Sequence, residues 1–237
     1  MSPQHPLPAF VGPVLAKHIN DFVCYPIAKG HEVFRRAAAN WLDKRFALSR
    51  PVDPETEVLV LNGAPPISAR AIRRAAELDW HPVVLLVNAA ASIANALRPA
   101  GLQNAVGVIS TSFLKDADDA TWKEDPAMKA WLAFMDKYYP DGDKEDSYAI
   151  FGYAAAETLV QVLSQCGSDL SRENIMRQAA PLKNYRSSII LPGIAINTGP
   201  ADFRPIEQMR LVQFDGTAWQ PIGDVIESAF ASRPGDN

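Results

Sequence analysis

The sequence predicts an α/β fold, a mostly parallel sheet flanked by helices, with a small antiparallel part near the C-terminal end. Three observations carry that expectation. The runs EVLVL (residues 57–61) and VVLLV (residues 83–87) are strand-sized and continuously apolar or β-branched, as strands covered on both faces are. Stretches of helical periodicity alternate with them, the rhythm of a layered α/β sheet. Two late segments, residues 208–214 and 218–221, are joined by Asp215-Gly216, a hairpin turn signal.

The elements are expected in the following order. The chain is proline-rich and irregular through Pro13. A short apolar segment follows at residues 14–23, then a turn at Tyr25-Pro26-Ile27-Ala28-Lys29-Gly30. Residues 31–46 read as an amphipathic helix. Val33, Phe34, Ala37, Ala38, Trp41, Leu42 and Phe46 recur at helical spacing, with Arg35, Arg36, Asp43 and Lys44 opposite. Pro51 and Pro54 end it, and the strand at residues 57–61 stops at Asn62-Gly63. A helix is expected over residues 68–78, with Ser68 as N-cap and a basic face of Arg70, Arg73 and Arg74. After the strand at residues 83–87 come a small-residue helix (89–97) and a strand (106–110). Residues 116–125 are acidic and expected as a solvated loop; they lack the ligand spacing and central glycine of a calcium loop.

Three helices are expected next. The first spans residues 126–139, with Met128, Trp131, Leu132 and Met135 on one face. The second, residues 148–165, is mostly apolar and ended by Gly167, and the third opens at Ser171. A β segment at residues 188–191 precedes the hairpin. There is no internal repeat.

Composition removes several function classes. The 237 residues are 48% hydrophobic and 21% charged, an ordinary globular balance. The net charge of -4 offers no basic field for nucleic acid. No apolar run approaches the roughly 18 residues of a membrane span. The opening MSPQHPLPAF has no positive n-region, apolar h-region or cleavage site, so the chain as written is expected to stay in the cytoplasm. Cys24 and Cys166 lie far apart among apolar neighbours and read as free thiols. The four histidines, His5, His18, His31 and His81, share no metal-ligand spacing. Ser110, Thr111 and Ser112 have no neighbouring histidine to act as base, and Asp118 and Asp119 fall in the expected exposed loop. The expectation is a protein that is not an enzyme and carries no cofactor or metal.

Five blocks carry a family resemblance: AIRRAAELDWHP, LRPAGLQNAVGVIST, WLAFMDKYYPDGD, YAAAETLVQVLSQCGSDLSRENIMRQAA and LPGIAINTGPADFRPIEQMRLVQFDGTAW. Their order resembles the later half of type I periplasmic solute-binding proteins of the branched-chain amino-acid ABC transporter family. The resemblance covers about residues 65–226. It implies two α/β lobes around a ligand cleft, capture of a small organic solute (an amino acid or organic acid), and delivery to an ABC permease. It also implies a periplasmic location. This chain would supply much of the second lobe, one returning helical portion of the first, and the closing strands.

Two residues are site candidates by that resemblance. Asn88 follows the strand at residues 83–87; the equivalent position in amino-acid binders looks acidic and meets the ligand ammonium. Tyr148 opens the long helix and aligns with an aromatic that touches the ligand side chain. A third candidate, Phe113, lies just beyond the strand at residues 106–110, where it could line the cleft. Each also has a structural reading: a helix cap for Asn88, hinge or core packing for the two aromatics.

The first 63 residues resemble something else. PQHPLPAFVGPVLAKHI, YPIAKG, FRRAAANWLDKRF and DPETEVLVLNG look like the start of a class I aminotransferase of the succinyldiaminopimelate type. There, Tyr25 would reach the cofactor phosphate of a partner subunit, and Asn62-Gly63 would lead into the phosphate loop. Ala64-Pro65-Pro66 departs from that pattern, because two prolines cannot donate N–H groups to a phosphate. No later lysine sits in that family's Schiff-base motif. The expectation is a junction near residues 63–66, with an aminotransferase-like fragment at 1–63 and a binding-protein-like region at 64–237. A pyridoxal-phosphate aminotransferase, or a junction product without activity, is the alternative. With most of the first lobe missing, weakened solute binding and self-association through the long helix are expected.

Overall fold

A computed structural model describes residues 32–200 and 202–227. Cys24, Tyr25, the apolar segment at residues 14–23, the turn at residues 25–30 and three histidines, His5, His18 and His31, lie outside the described residues.

The first helix, α1 (Glu32–Phe46), starts on an acid and ends on Lys44 and Arg45, charges that suit the helix dipole. It does not bury the expected face. Arg35, Ala39 and Leu42 turn inward, while Val33, Phe34 and Phe46 stay exposed. The cause is Arg35. Its Nε donates to the Pro54 carbonyl at 2.9 Å and its guanidinium pairs with Glu55 at 2.5 Å, so its stem packs inward against the following loop.

Strand β1 (Val58–Leu61) follows, then helix α2 (Pro65–Glu77), strand β2 (Val83–Leu86) and strand β3 (Ile109–Ser112). β1 pairs with β2 and β2 with β3, both in parallel. Helix α2 begins three residues earlier than expected. Pro65 and Pro66 occupy its first turn, where a missing N–H costs nothing, and Ala64 precedes them without a side-chain cap. Ser68 is therefore not the N-cap. It lies inside the helix, fully buried on the face formed with Ala69, Ile72 and Ala75, and Arg70, Arg73 and Arg74 are exposed as expected.

The small-residue helix expected at residues 89–97 is broken into three short pieces. They are a 3₁₀ turn (Asn88–Ala90), a π-helical turn (Ile93–Leu97) and one α turn (Arg98–Ala100). Ser92 restarts the chain between the first two, its hydroxyl accepting from the Asn95 N–H at 3.1 Å. Ala90, Ile93, Ala96, Leu97 and Ala100 all point into the core, so close packing under the sheet outweighs regular helix geometry.

Helices α3 (Pro126–Tyr138), α4 (Ser147–Gln165) and α5 (Arg172–Ala179) follow, each with an acceptor side chain at its N-cap: Asp125, Asp146 and Ser171. Gly167, with φ of +61°, ends α4 as expected. The β segment expected at residues 188–191 is reduced to one bridge, Leu114 to Ile190. Strands β4 (Gln208–Phe214) and β5 (Trp219–Glu227) form the expected antiparallel hairpin, with β4 added antiparallel to β3. The sheet order is β1-β2-β3-β4-β5.

One core lies between α2 with the broken turns and one sheet face, where Leu61, Val84, Leu86, Val212, Phe214 and Trp219 meet Ala69, Ile72, Ile93 and Leu97. Two further clusters, around Trp131 with Ile150 and around Val162 with Ile194, hold α3, α4 and α5 to the loop at residues 181–196.

Candidate functional site

The three candidate residues sit where parallel strands end. Asn88 follows β2, and its Nδ2 donates to the Thr111 carbonyl of β3 at 3.0 Å. That bond fixes the amide and leaves Oδ1 as a neutral acceptor. Phe113 directly follows β3 and meets Phe151 of α4 edge to face, with centroids 6.4 Å apart. Tyr148 lies in the first turn of α4, one turn before Phe151, with 60% of its surface exposed. Among the described residues, no hydrogen bond joins Asn88 to Tyr148; the Tyr148 N–H is donated to Asp146.

A polar brace ties the three segments together. Arg98 pairs with Asp118 at 2.5 Å and with Glu145 at 2.6 Å, joining the turns after β2 to the loop after β3 and to the residues before α4. Asn95 donates to Asp146, the α4 cap, at 3.3 Å. Asp116 accepts from the Ile93 N–H and the Asp118 N–H, each at 3.0 Å. Burial pushes its carboxyl up to about 6, against the lowering effect of those two amides. Burial likewise raises Asp118, opposed by Arg98.

This brace corrects the reading of residues 116–125 as a solvated loop without shifted carboxylates. Lys115 and Asp119 are buried. Asp119 holds the Thr121 N–H at 2.8 Å and reaches across the fold to the Trp219 N–H at 2.9 Å. A run of acids resembles a solvated surface in sequence, and only the return of β5 beside it shows where the carboxylates are needed. The Asp116-x-Asp118 spacing, which permits an Asx turn, was the one local signal.

The serines near the strand ends are engaged. Ser110 Oγ donates to the Leu86 carbonyl and Ser112 Oγ to the Leu114 carbonyl, each at 2.8 Å. Among the described residues, no group of three or more His, Cys, Asp or Glu could hold a metal ion. No described helix is long and apolar enough to cross a membrane. Cys166 is a buried free thiol donating to the Val162 carbonyl.

Two concavities lie elsewhere. One, of about 460 Å³, is lined by Leu42, Phe46, Ile72, Trp80 and Val106 at the opposite ends of the parallel strands from Asn88 and Phe113. The other, about 330 Å³, lies among Lys183, Asn197, Thr198, Glu207 and Glu227. Neither includes Asn88, Phe113 or Tyr148.

The family profile described as "Periplasmic binding protein" matches residues 48–218, well over half of the chain. The chain belongs to the periplasmic binding protein family. The match begins at residue 48, so it takes in β1 and runs across the junction expected at residues 63–66 as far as the β4–β5 turn. No curated protein matches the chain.

Solved structures share the fold of this periplasmic binding protein. A branched-chain amino-acid ABC transporter protein from Thermus thermophilus, solved with bound valine, superposes with a TM-score of 0.62 at 16% identity over 82% of this chain and 50% of its own. An ABC transporter substrate-binding protein from Aeropyrum pernix gives 0.58 at 11% identity, over 91% of this chain and 55% of its own. A possible leucine/isoleucine/valine-binding protein from Rhodopirellula baltica gives 0.55 at 18% identity, over 72% and 43%. The chain thus spans about half the length of these structures.

Proposed function

We propose that this chain binds a small organic solute, without catalysis, at the surface formed by Asn88, Phe113 and Tyr148, for delivery to an ABC permease. The supporting observation is the convergence of these residues. Open α/β sheets hold ligands beyond the carboxyl ends of parallel strands, where Asn88 and Phe113 lie. The brace from Arg98 and Asn95 ties the residues just before α4, the helix that carries Tyr148, to the turns after β2 and the loop after β3.

The chemistry favours an organic acid with a branched or aromatic body over a zwitterionic amino acid. Desolvating an ammonium group requires a carboxylate partner, and Asn88 offers one carbonyl oxygen without charge. The nearest acid along the chain from Phe113 is Asp116, which is turned to two backbone amides and raised to about 6. Tyr148 and Phe113 suit an apolar body. A phosphate cofactor finds no cradle at residues 63–66. Pro65 and Pro66 have no N–H, and those of Ile67 and Ser68 are already donated to the Ala64 carbonyl. This supports reading any division of the chain there as one that leaves no aminotransferase site.

Paired titrations test the proposal, with leucine against 4-methylpentanoate and phenylalanine against 3-phenylpropanoate. The wild type should prefer the acid, and Asn88→Asp should move the preference toward the amine-bearing ligand. A wild-type preference for the amino acid, or an unmoved preference in Asn88→Asp, refutes the ligand class.

A further inference from the structure

We infer that Arg210, near the start of β4, takes the carboxylate of the bound solute beside Asn88 and Phe113. The inference rests on the solute site proposed above and names the group that recognises the acid. Strand register places the side chain. Ser112, the last residue of β3, is the antiparallel partner of Arg210, as Ser110 is of Val212. Opposed residues share a face, and so does every second residue along a strand. Arg210 therefore lies on the face of Val212 and Phe214, one step past the last core residue of β4.

The same strand ends hold the candidate residues. On β2 that face carries Leu86, and Asn88 comes two residues later, bound to the Thr111 carbonyl next to Ser112. Neighbouring strands lie about 4.8 Å apart, so Asn88 and Arg210, two strands from each other, are separated by roughly 10 Å. Phe113 is the residue after Ser112, which brings the cation and the aromatic surface within one residue of each other along β3. A small carboxylic acid can meet Arg210 with its head while its body lies on Phe113.

Among the described residues, Arg210 is the one arginine or lysine that is neither exposed nor paired. Buried Arg35 and Lys115 have Glu55 and Asp125, and half-buried Lys144 has Asp136. The Nε of Arg210 is enclosed and has no hydrogen-bond partner. Of the acids near its place in the hairpin, Glu207 pairs with Arg204 at 3.2 Å, Glu227 accepts from Gln208 at 2.8 Å, and Asp224 is exposed on β5. None of them pairs with it. The Ser112 hydroxyl offers an anion no proton, since it donates to the Leu114 carbonyl. A guanidinium withdrawn from water without a counter-charge is costly, and a carboxylate offsets that cost through two parallel N–H bonds.

Two measurements on the full chain test this. Calorimetry compares 3-phenylpropanoate with its neutral amide, 3-phenylpropanamide, on wild type, Arg210→Met and Arg210→Lys, with circular dichroism to confirm that the variants fold. The wild type should bind the acid at least about tenfold more tightly than the amide. Arg210→Met should abolish that preference and Arg210→Lys should keep part of it. In the second measurement, propanoate is titrated into wild type while NMR follows the Arg210 Nε–H, which should shift saturably. Acid binding that Tyr148→Ala weakens and Arg210→Met does not leaves the solute site standing and overturns the role of Arg210. A saturable Nε–H shift with propanoate but no binding of 3-phenylpropanoate does the reverse: the solute site falls and Arg210 remains a carboxylate site. An Nε–H that does not move, or that moves equally with inorganic phosphate, overturns the inference.

Discussion

Asp116 makes the stability of this fold fall as pH rises through the weakly acidic range. Its carboxyl titrates near 6 in the folded protein, raised by burial against the two amides that bind it. In the unfolded chain it titrates near the ordinary aspartate value of about 3.9. Below about pH 4 both states hold the proton and the residue contributes no pH dependence. Above that the unfolded chain loses its proton first, which favours unfolding, and the loss continues until the folded form titrates near pH 6. A shift of about two units corresponds to about 3 kcal/mol, lost between about pH 4 and pH 6. Other carboxylates act in the opposite sense. Asp125, paired with Lys115, is lowered and stabilises the fold above its unfolded value. The Asp116 contribution is therefore read as a difference. Urea unfolding of wild type and Asp116→Asn at intervals from pH 4 to pH 7, with m held common, gives the stability gap at each pH. Relative to the variant, the wild type should lose about 3 kcal/mol across that window. A flat difference refutes the claim that the fold buries a carboxylate there at neutral pH.

Two further outcomes follow from the packing. Asp119→Ala leaves the Trp219 N–H without its acceptor in a buried setting and should cost about 1–3 kcal/mol in urea unfolding; a loss within error would mean the loop does not anchor β5. Trp131→Ala removes a side chain that is 1% exposed at the centre of the α3–α4 cluster and should cost about 3–5 kcal/mol, whereas a loss under about 1 kcal/mol would show that this cluster adds little to folding.

Much of the architecture was legible in the sequence because it depends on local, strong signals. Val58–Leu61 and Val83–Leu86 are short apolar runs with no alternative to a covered strand, and the Asp215-Gly216 turn sets the β4–β5 hairpin. α5 opens at Ser171 as expected, and Ser171 caps it through the Asn174 N–H. The misread features depend on partners distant in sequence. Arg35 turns inward to Pro54 and Glu55, so the buried face of α1 is rotated: Leu42 of the expected face stays buried, Ala39 joins it, and Val33 and Phe34 are left exposed. Ser68 resembles a cap, but the two preceding prolines already start the helix. Residues 88–100 have helix-forming composition, yet they follow a broken path while burying Ala90, Ile93, Ala96, Leu97 and Ala100. For the candidate site, Asn88 and Tyr148 came from the family resemblance and Phe113 from its place beyond a strand, and the structure puts Asn88 and Phe113 just beyond the ends of β2 and β3. The Arg98–Asp118–Glu145 brace joins residues up to 47 positions apart, and nothing local announces it.

The proposed role stands or falls most directly on an isothermal calorimetric titration of the full chain with branched and aromatic organic acids and the corresponding amino acids, repeated on Tyr148→Ala. Tyr148 is largely exposed, so its removal should leave folding intact. The account predicts saturable binding of at least one acid, at least about tenfold weaker in the variant. An absence of saturable heat with every solute would contradict it. So would binding that Tyr148→Ala leaves unchanged.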